Sequence, residues 1–203
     1  MVHEMARRST GWLLLFFVAV LAAPGAGPGV ARAEGQVEYR VLATNKTSTM
    51  EEELHAAAAE GFRFAEVMGG DTVGGSEVVV VMTRTPDQAS EERFEYSLLA
   101  TSKTSTMQKE LQDAADAGFM YRGQTVFKTT FGGEEVVVIL ERSTTRPASS
   151  WECLLLGTKK TSTMQRELTA AGEQGFELVG LTVASTTFSG NELVAILRRA
   201  AAE

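Results

Sequence analysis

The sequence predicts an α+β fold of three tandem β-α-β-β (split β-α-β) repeats, packed as one pseudo-threefold domain after a signal peptide. Three observations carry this expectation. Lys-Thr-Ser-Thr-Met occurs at 46–50, 103–107 and 160–164, a spacing of 57 both times. The same offset relates Val37-Glu38-Tyr39, Phe94-Glu95-Tyr96 and Trp151-Glu152-Cys153, and again Gly61-Phe62, Gly118-Phe119 and Gly175-Phe176. Within each copy an alternating strand pattern gives way to a helical stripe and then to an apolar strand, which is one supersecondary unit repeated. The repeats therefore span 37–84, 94–142 and 151–199. Between them, Thr85 to Arg93 and Ser143 to Ser150 are polar, carry Pro86 and Pro147, and read as linkers.

Each unit opens on a strand with Val37, Tyr39, Val41 and Ala43 on one face and Glu38, Arg40 and Leu42 on the other, a half-buried edge. A helix is expected from Thr49 to Glu60, because Ser48 can cap it and Glu51 stands three residues on. That capping box recurs as Ser105 with Gln108 and Ser162 with Gln165. Gly61, Gly118 and Gly175 end the helices by supplying a left-handed residue. The buried stripe is Met50, Leu54, Ala57 and Ala58, or Met107, Leu111, Ala114 and Ala115. A second strand begins at Phe62, Phe119 or Phe176, and Gly74-Gly75, Gly132-Gly133 and Ser189-Gly190 mark hairpin turns. The third strand, Val78 to Met82, Val136 to Leu140 or Leu193 to Leu197, is apolar throughout, so it belongs in the middle of the sheet and gives the order 1-3-2. One helix covers one sheet face. The other face requires a neighbouring repeat, and a lone unit of ~50 residues is only marginally stable.

The 203 residues carry a net charge of −7, with 44% hydrophobic and 22% charged residues, which excludes a disordered chain, a multi-span membrane protein and a basic nucleic-acid surface. Two His and one Cys are too few for a zinc cage, an Fe–S cluster or a disulfide framework. Arg7 and Arg8, the apolar run Trp12 to Ala23 and the small residues of Ala31-Arg32-Ala33 read as a signal peptide over 1–33, with the mature chain starting at Glu34. Twelve apolar residues fall short of the roughly 20 that a spanning helix needs. Its removal takes away Arg7, Arg8, Arg32 and Glu4 and moves the net charge to −9. The expected destination is the periplasm or the exterior, with no membrane association after cleavage.

The third copy resembles a small bacterial domain family of unknown function, whose pattern is aromatic-Glu-Tyr-Lys-Val, then Glu-Gly-Trp-Glu-Leu-Val after a helix, then a closing Lys-Arg. Gln174-Gly175-Phe176-Glu177-Leu178-Val179 and Leu197-Arg198-Arg199 carry the resemblance, with Phe176 in the place of Trp. It implies a β-α-β-β fold and no known activity.

The candidate binding residues are Lys46, Thr47, Ser48, Lys103, Thr104, Ser105, Lys160, Thr161 and Ser162. Helix caps and the core explain the Ser and the Met of the repeated pentapeptide, leaving the Lys and the two Thr. A lysine and hydroxyls at a helix N-terminus suit a small anion. Three copies make three anion sites or, if the pseudo-threefold axis gathers the loops, one site on which the three lysines converge; the alternative is that the loops only cap helices. No catalytic pair, metal site or cofactor is expected. His55 reads as an exposed helix residue and Cys153 as a buried structural thiol. Two functions stay open: a non-enzymatic protein-interaction or structural repeat module, and a binder of a small anionic ligand.

Overall fold

The computed structural model describes residues 36–85, 92–128, 133–186 and 190–201. The proposed signal peptide and the turns at Gly132 and Ser189 lie outside the described residues. Repeat 1 comprises β1 (Glu38–Thr44), α1 (Thr47–Ala59), β2 (Arg63–Thr72) and β3 (Gly75–Arg84). Repeat 2 comprises β4 (Phe94–Thr101), α2 (Thr104–Asp116), β5 (Met120–Lys128) and β6 (Glu134–Ser143). Repeat 3 comprises β7 (Trp151–Thr158), α3 (Thr161–Glu173), β8 (Glu177–Thr186) and β9 (Gly190–Ala200). Each repeat is an antiparallel three-stranded sheet in the order β1-β3-β2, β4-β6-β5 or β7-β9-β8, with the apolar third strand in the middle. The α+β repeat architecture is the expected one.

The helices start two residues earlier than expected, and the capping boxes do not form. Lys46, Lys103 and Lys160 are the N-caps, in extended conformation and without a side-chain cap bond, which puts Ser48, Ser105 and Ser162 inside the first turn. The preceding threonine does the local work instead. The Thr44 hydroxyl accepts the Lys46 N–H at 3.1 Å, and Thr101 and Thr158 do the same for Lys103 and Lys160 at 3.1 and 3.4 Å. The helix ends follow expectation. Gly61 has φ 87°, its N–H donates to Ala58 O at 2.9 Å, and Phe62 N–H donates to Ala57 O at 3.1 Å, a Schellman end.

A repeated arginine locks each of these ends. Arg84 Nη1 donates to the carbonyl of the C-cap residue, Glu60 O, at 2.7 Å, pairs with Glu38 on the adjacent strand, and lies 4.5 Å from the Phe62 ring centre. Arg142 does this with Ala117 O, Glu95 and Phe119, and Arg199 with Gln174 O, Glu152 and Phe176. The Glu of the opening strand and the Arg of the closing one are therefore a structural clamp on the helix C-terminus, where a cation also meets the negative end of the helix dipole.

The described residues belong to one compact unit, within which the repeats stack in sequence. α1 lies between its own sheet and β4 of the next repeat, and α2 lies between its own sheet and β7. On the opposite side no helix intervenes, and β2 packs on β5 and β5 on β8. The resulting layers run sheet, helix, sheet, helix, sheet, helix, with one apolar cluster joining repeats 1 and 2, a second joining repeats 2 and 3, and a third under α3. This arrangement corrects the pseudo-threefold expectation in one respect. Closure would lay α3 on the outer face of the first sheet, yet Tyr39 and Val41 on that face are 70% and 63% exposed. Their counterparts Tyr96 and Leu98, and Cys153 and Leu155, pack against the helix of the preceding repeat. Among the described residues the stack is open, with a bare sheet at one end and a bare helix layer at the other.

Candidate functional site

The lysine loops do not meet. Each stands at the start of its own helix, and successive helices are separated by a three-stranded sheet, so Lys46, Lys103 and Lys160 line up along the stack with exposed side chains. Thr47 and Ser48 line an open cleft of about 310 Å³ that runs past Leu98 and Ala100 on β4. Its charged lining residues are Glu51 and Glu110, which repel an anion. Thr104 sits against Gly157 of the next repeat, within 3.3 Å of where a Cβ would stand there. Ser105, Thr161 and Ser162 are exposed. The pentapeptide thus builds a helix start, and its Met50, Met107 and Met164 reach the core.

The polar residues that do converge are ones for which sequence reasoning found other jobs. Glu51 and His55, one turn apart on α1, reach the free edge of β4: Leu98 N–H donates to Glu51 Oε1 at 3.1 Å, and His55 Nε2 lies 2.6 Å from Tyr96 O. Gln108 and Gln112 on α2 repeat this on β7 with four bonds. Gln108 Nε2 donates to Cys153 O at 2.9 Å and Gln108 Oε1 accepts from Leu155 N–H at 2.7 Å. Gln112 Oε1 accepts from Cys153 N–H at 2.9 Å and Gln112 Nε2 donates to Trp151 O at 3.1 Å. Glu51 and Gln108, expected in capping boxes, instead satisfy the backbone of the next repeat's edge strand, which is thereby closed to other strands. Gln112 is the functional counterpart of His55. On α3, Gln165 and Thr169 occupy the same two positions and bond to each other at 3.3 Å.

A second convergence breaks the repeat. Glu141, only 5% exposed, accepts from Arg63 Nη2 at 2.8 Å and from the Tyr96 hydroxyl at 2.9 Å, with Arg122 Nε 3.4 Å away. The Tyr96 hydroxyl in turn accepts the Phe64 N–H at 2.8 Å. Arg63 and Phe64 come from repeat 1, and the other three from repeat 2, so the network pins the two together. Sequence reasoning missed it because its charged members fall at positions where the copies differ. The counterparts of Glu141 are Thr83 and Arg198, and those of Arg63 are Met120 and Glu177. A charge at the end of an otherwise apolar strand was the available signal.

Burial pushes the Tyr96 hydroxyl well above its ordinary value of 10.0, with the Glu141 charge adding to it, and raises Tyr121 to about 12, with the Glu66 charge adding. Both tyrosines are thus held neutral in the fold. A group whose pKa is higher folded than unfolded gives its full stabilisation below the unfolded value and loses it as pH rises toward the folded one. The unfolding free energy measured in urea is therefore expected to fall from about pH 10 upward, by at most about 1.4 kcal/mol per pH unit for each tyrosine, and Tyr121→Phe flattens that fall between pH 10 and 12. An identical alkaline limb in Tyr121→Phe contradicts this assignment. Burial likewise raises the Cys153 thiol, which keeps it protonated and a poor nucleophile.

Among the described residues, no three His, Cys, Asp or Glu side chains gather as a metal site would require, and no helix is long and apolar enough to cross a membrane. No protein-family model, no curated protein and no solved structure matches the chain.

Proposed function

We propose that this is an exported, non-enzymatic protein-interaction or structural repeat module that works through the two ends of its stack. The observation that carries the reading is where the exposed apolar side chains fall. Among the described residues, the large exposed hydrophobics are Val37, Tyr39, Val41 and Met68 at the first sheet, Leu178, Leu181 and Val183 at the last, and Val73 in a turn. Scattered exposed apolar residues are ordinary; seven of these eight gathered at two opposite ends mark contact surfaces. Export is supported by Arg7-Arg8, the apolar run and Ala31-Arg32-Ala33. The small-anion alternative has less to support it, since the lysines stand apart and the cleft at the first loop carries two carboxylates.

A photo-crosslinking residue placed at position 39, at position 181, or at the exposed Lys109 on α2 tests this in producing cells. Protein adducts are expected at 39 and 181 and not at 109. Absence of any protein adduct at both end positions overturns the interaction reading.

A further inference from the structure

We infer that the bare helix layer of repeat 3 docks the bare sheet of repeat 1 in a second copy of this chain, joining copies head to tail. This rests on the interaction-module reading and names the partner. The chain already contains the interface twice. In repeat 2, Tyr96, Leu98 and Ala100 lie on α1 and the core beneath it, and in repeat 3 Cys153 and Leu155 lie on α2. Tyr39, Val41 and Ala43 are the same positions in repeat 1, where they are exposed. The opposite end matches. Phe64 and Val67 approach Gly123 of repeat 2, and Tyr121 and Gln124 approach Gly180 of repeat 3, each close enough that an added Cβ would fall within 3 Å. Their repeat 3 counterparts, Leu178 and Leu181, meet nothing equivalent and are about half exposed. Gln165 and Thr169 hold the positions from which Gln108 and Gln112 bond the free edge of β7, while the edge of β1 has the backbone for such bonds at Tyr39 and Val41. A helix layer and an edge strand of the kind that pair twice inside the chain are left over at opposite ends.

The intermolecular contact is weaker than the internal ones for two reasons visible in the sequence. Glu66 stands where Gly123 and Gly180 allow close approach, and the ion pair between Arg63 and Glu141 is replaced by Glu177 facing Thr83. Association is thus reversible and concentration dependent. Because the two faces differ, the contact is heterologous and leaves a free face at each end of a dimer, so assembly continues beyond two copies.

Sedimentation velocity of the purified protein over a wide concentration range tests this. The wild type is expected to sediment faster as concentration rises. Tyr39→Asp and Val183→Asp each weaken association at least about tenfold, yet an equimolar mixture of the two forms a dimer that grows no further, since one retains the helix face and the other the sheet face. Glu66→Gly tightens association by about tenfold, which non-specific apolar adhesion does not do. Circular dichroism checks that each variant stays folded, as exposed positions allow. The inference is overturned by a wild type that stays monomeric, by Val183→Asp dimerising alone through two sheet faces, or by Glu66→Gly weakening association. Monomeric behaviour together with adducts to another protein at position 39 overturns self-docking and leaves the interaction-module reading intact.

Discussion

Glu141→Ala is expected to destabilise the protein by about 3 kcal/mol, the lower end of what breaking a buried ion pair costs. The carboxylate is one buried negative charge facing two guanidinium groups, with Arg63 donating through both Nε and Nη2 and Arg122 at 3.4 Å. Without it the two cations repel each other, and the Tyr96 hydroxyl loses its acceptor while still holding the Phe64 N–H. Arg63 and Arg122 are each about one-third exposed and can turn toward water, which keeps the cost below that of a fully buried pair. Glu141→Gln keeps an acceptor for the tyrosine and is expected to fall between Ala and wild type. A double-mutant cycle of Glu141→Gln with Arg63→Met should return a coupling of roughly 1–3 kcal/mol, measured by urea unfolding. Additive effects in that cycle rule out the network as the pin between repeats 1 and 2.

The parts of this fold that were legible in the sequence are those decided by local chemistry. Gly61, Gly118 and Gly175 each take the left-handed conformation that ends a helix, and the uninterrupted apolar run at Val78 to Met82 becomes the middle strand. Helix starts were less legible because Lys-Thr-Ser-Thr offers several hydroxyls and the bond that matters comes from Thr44, outside the pentapeptide. Exposure was not legible at all at the opening strand. Tyr39 and Tyr96 are the same residue at the same repeat position, yet one is 70% exposed and the other 2%, because only the second has a helix preceding it in the stack. Burial here is a property of rank order along the array, as expected when each unit contacts only its neighbours. The same logic explains why the candidate site moved. Identity among copies drew attention to the lysine loops, whereas the residues that join copies, Glu141 and Arg63, are those that differ between them.

The seam where sheets meet without a helix gives the last large effect. Gly69→Ala is expected to cost about 3 kcal/mol, the upper range for forcing atoms into a packed interior, or roughly 10 °C in Tm for a chain of this size. A Cβ on Gly69 would stand 2.1 Å from the Val126 carbonyl oxygen and 2.9 Å from Thr125 Oγ1, on β5 of the next repeat. Relief requires moving a backbone strand, which no side-chain rotation supplies. Gly70, the next residue along β2, points to the outer face of the first sheet and has nothing within 4 Å of its added Cβ. Gly70→Ala should therefore change stability by less than about 0.5 kcal/mol, the ordinary range of surface substitutions. The pair separates two explanations of a glycine effect. Loss of chain flexibility in a strand acts alike on neighbouring positions, whereas contact between repeats acts only on the residue that faces the next sheet. Thermal unfolding at low protein concentration, where end-to-end association is negligible, reads the difference directly. Equal shifts in the two variants would mean that β2 and β5 do not meet at this seam, and with it would fall the stacking geometry on which the helix-to-edge bonds depend.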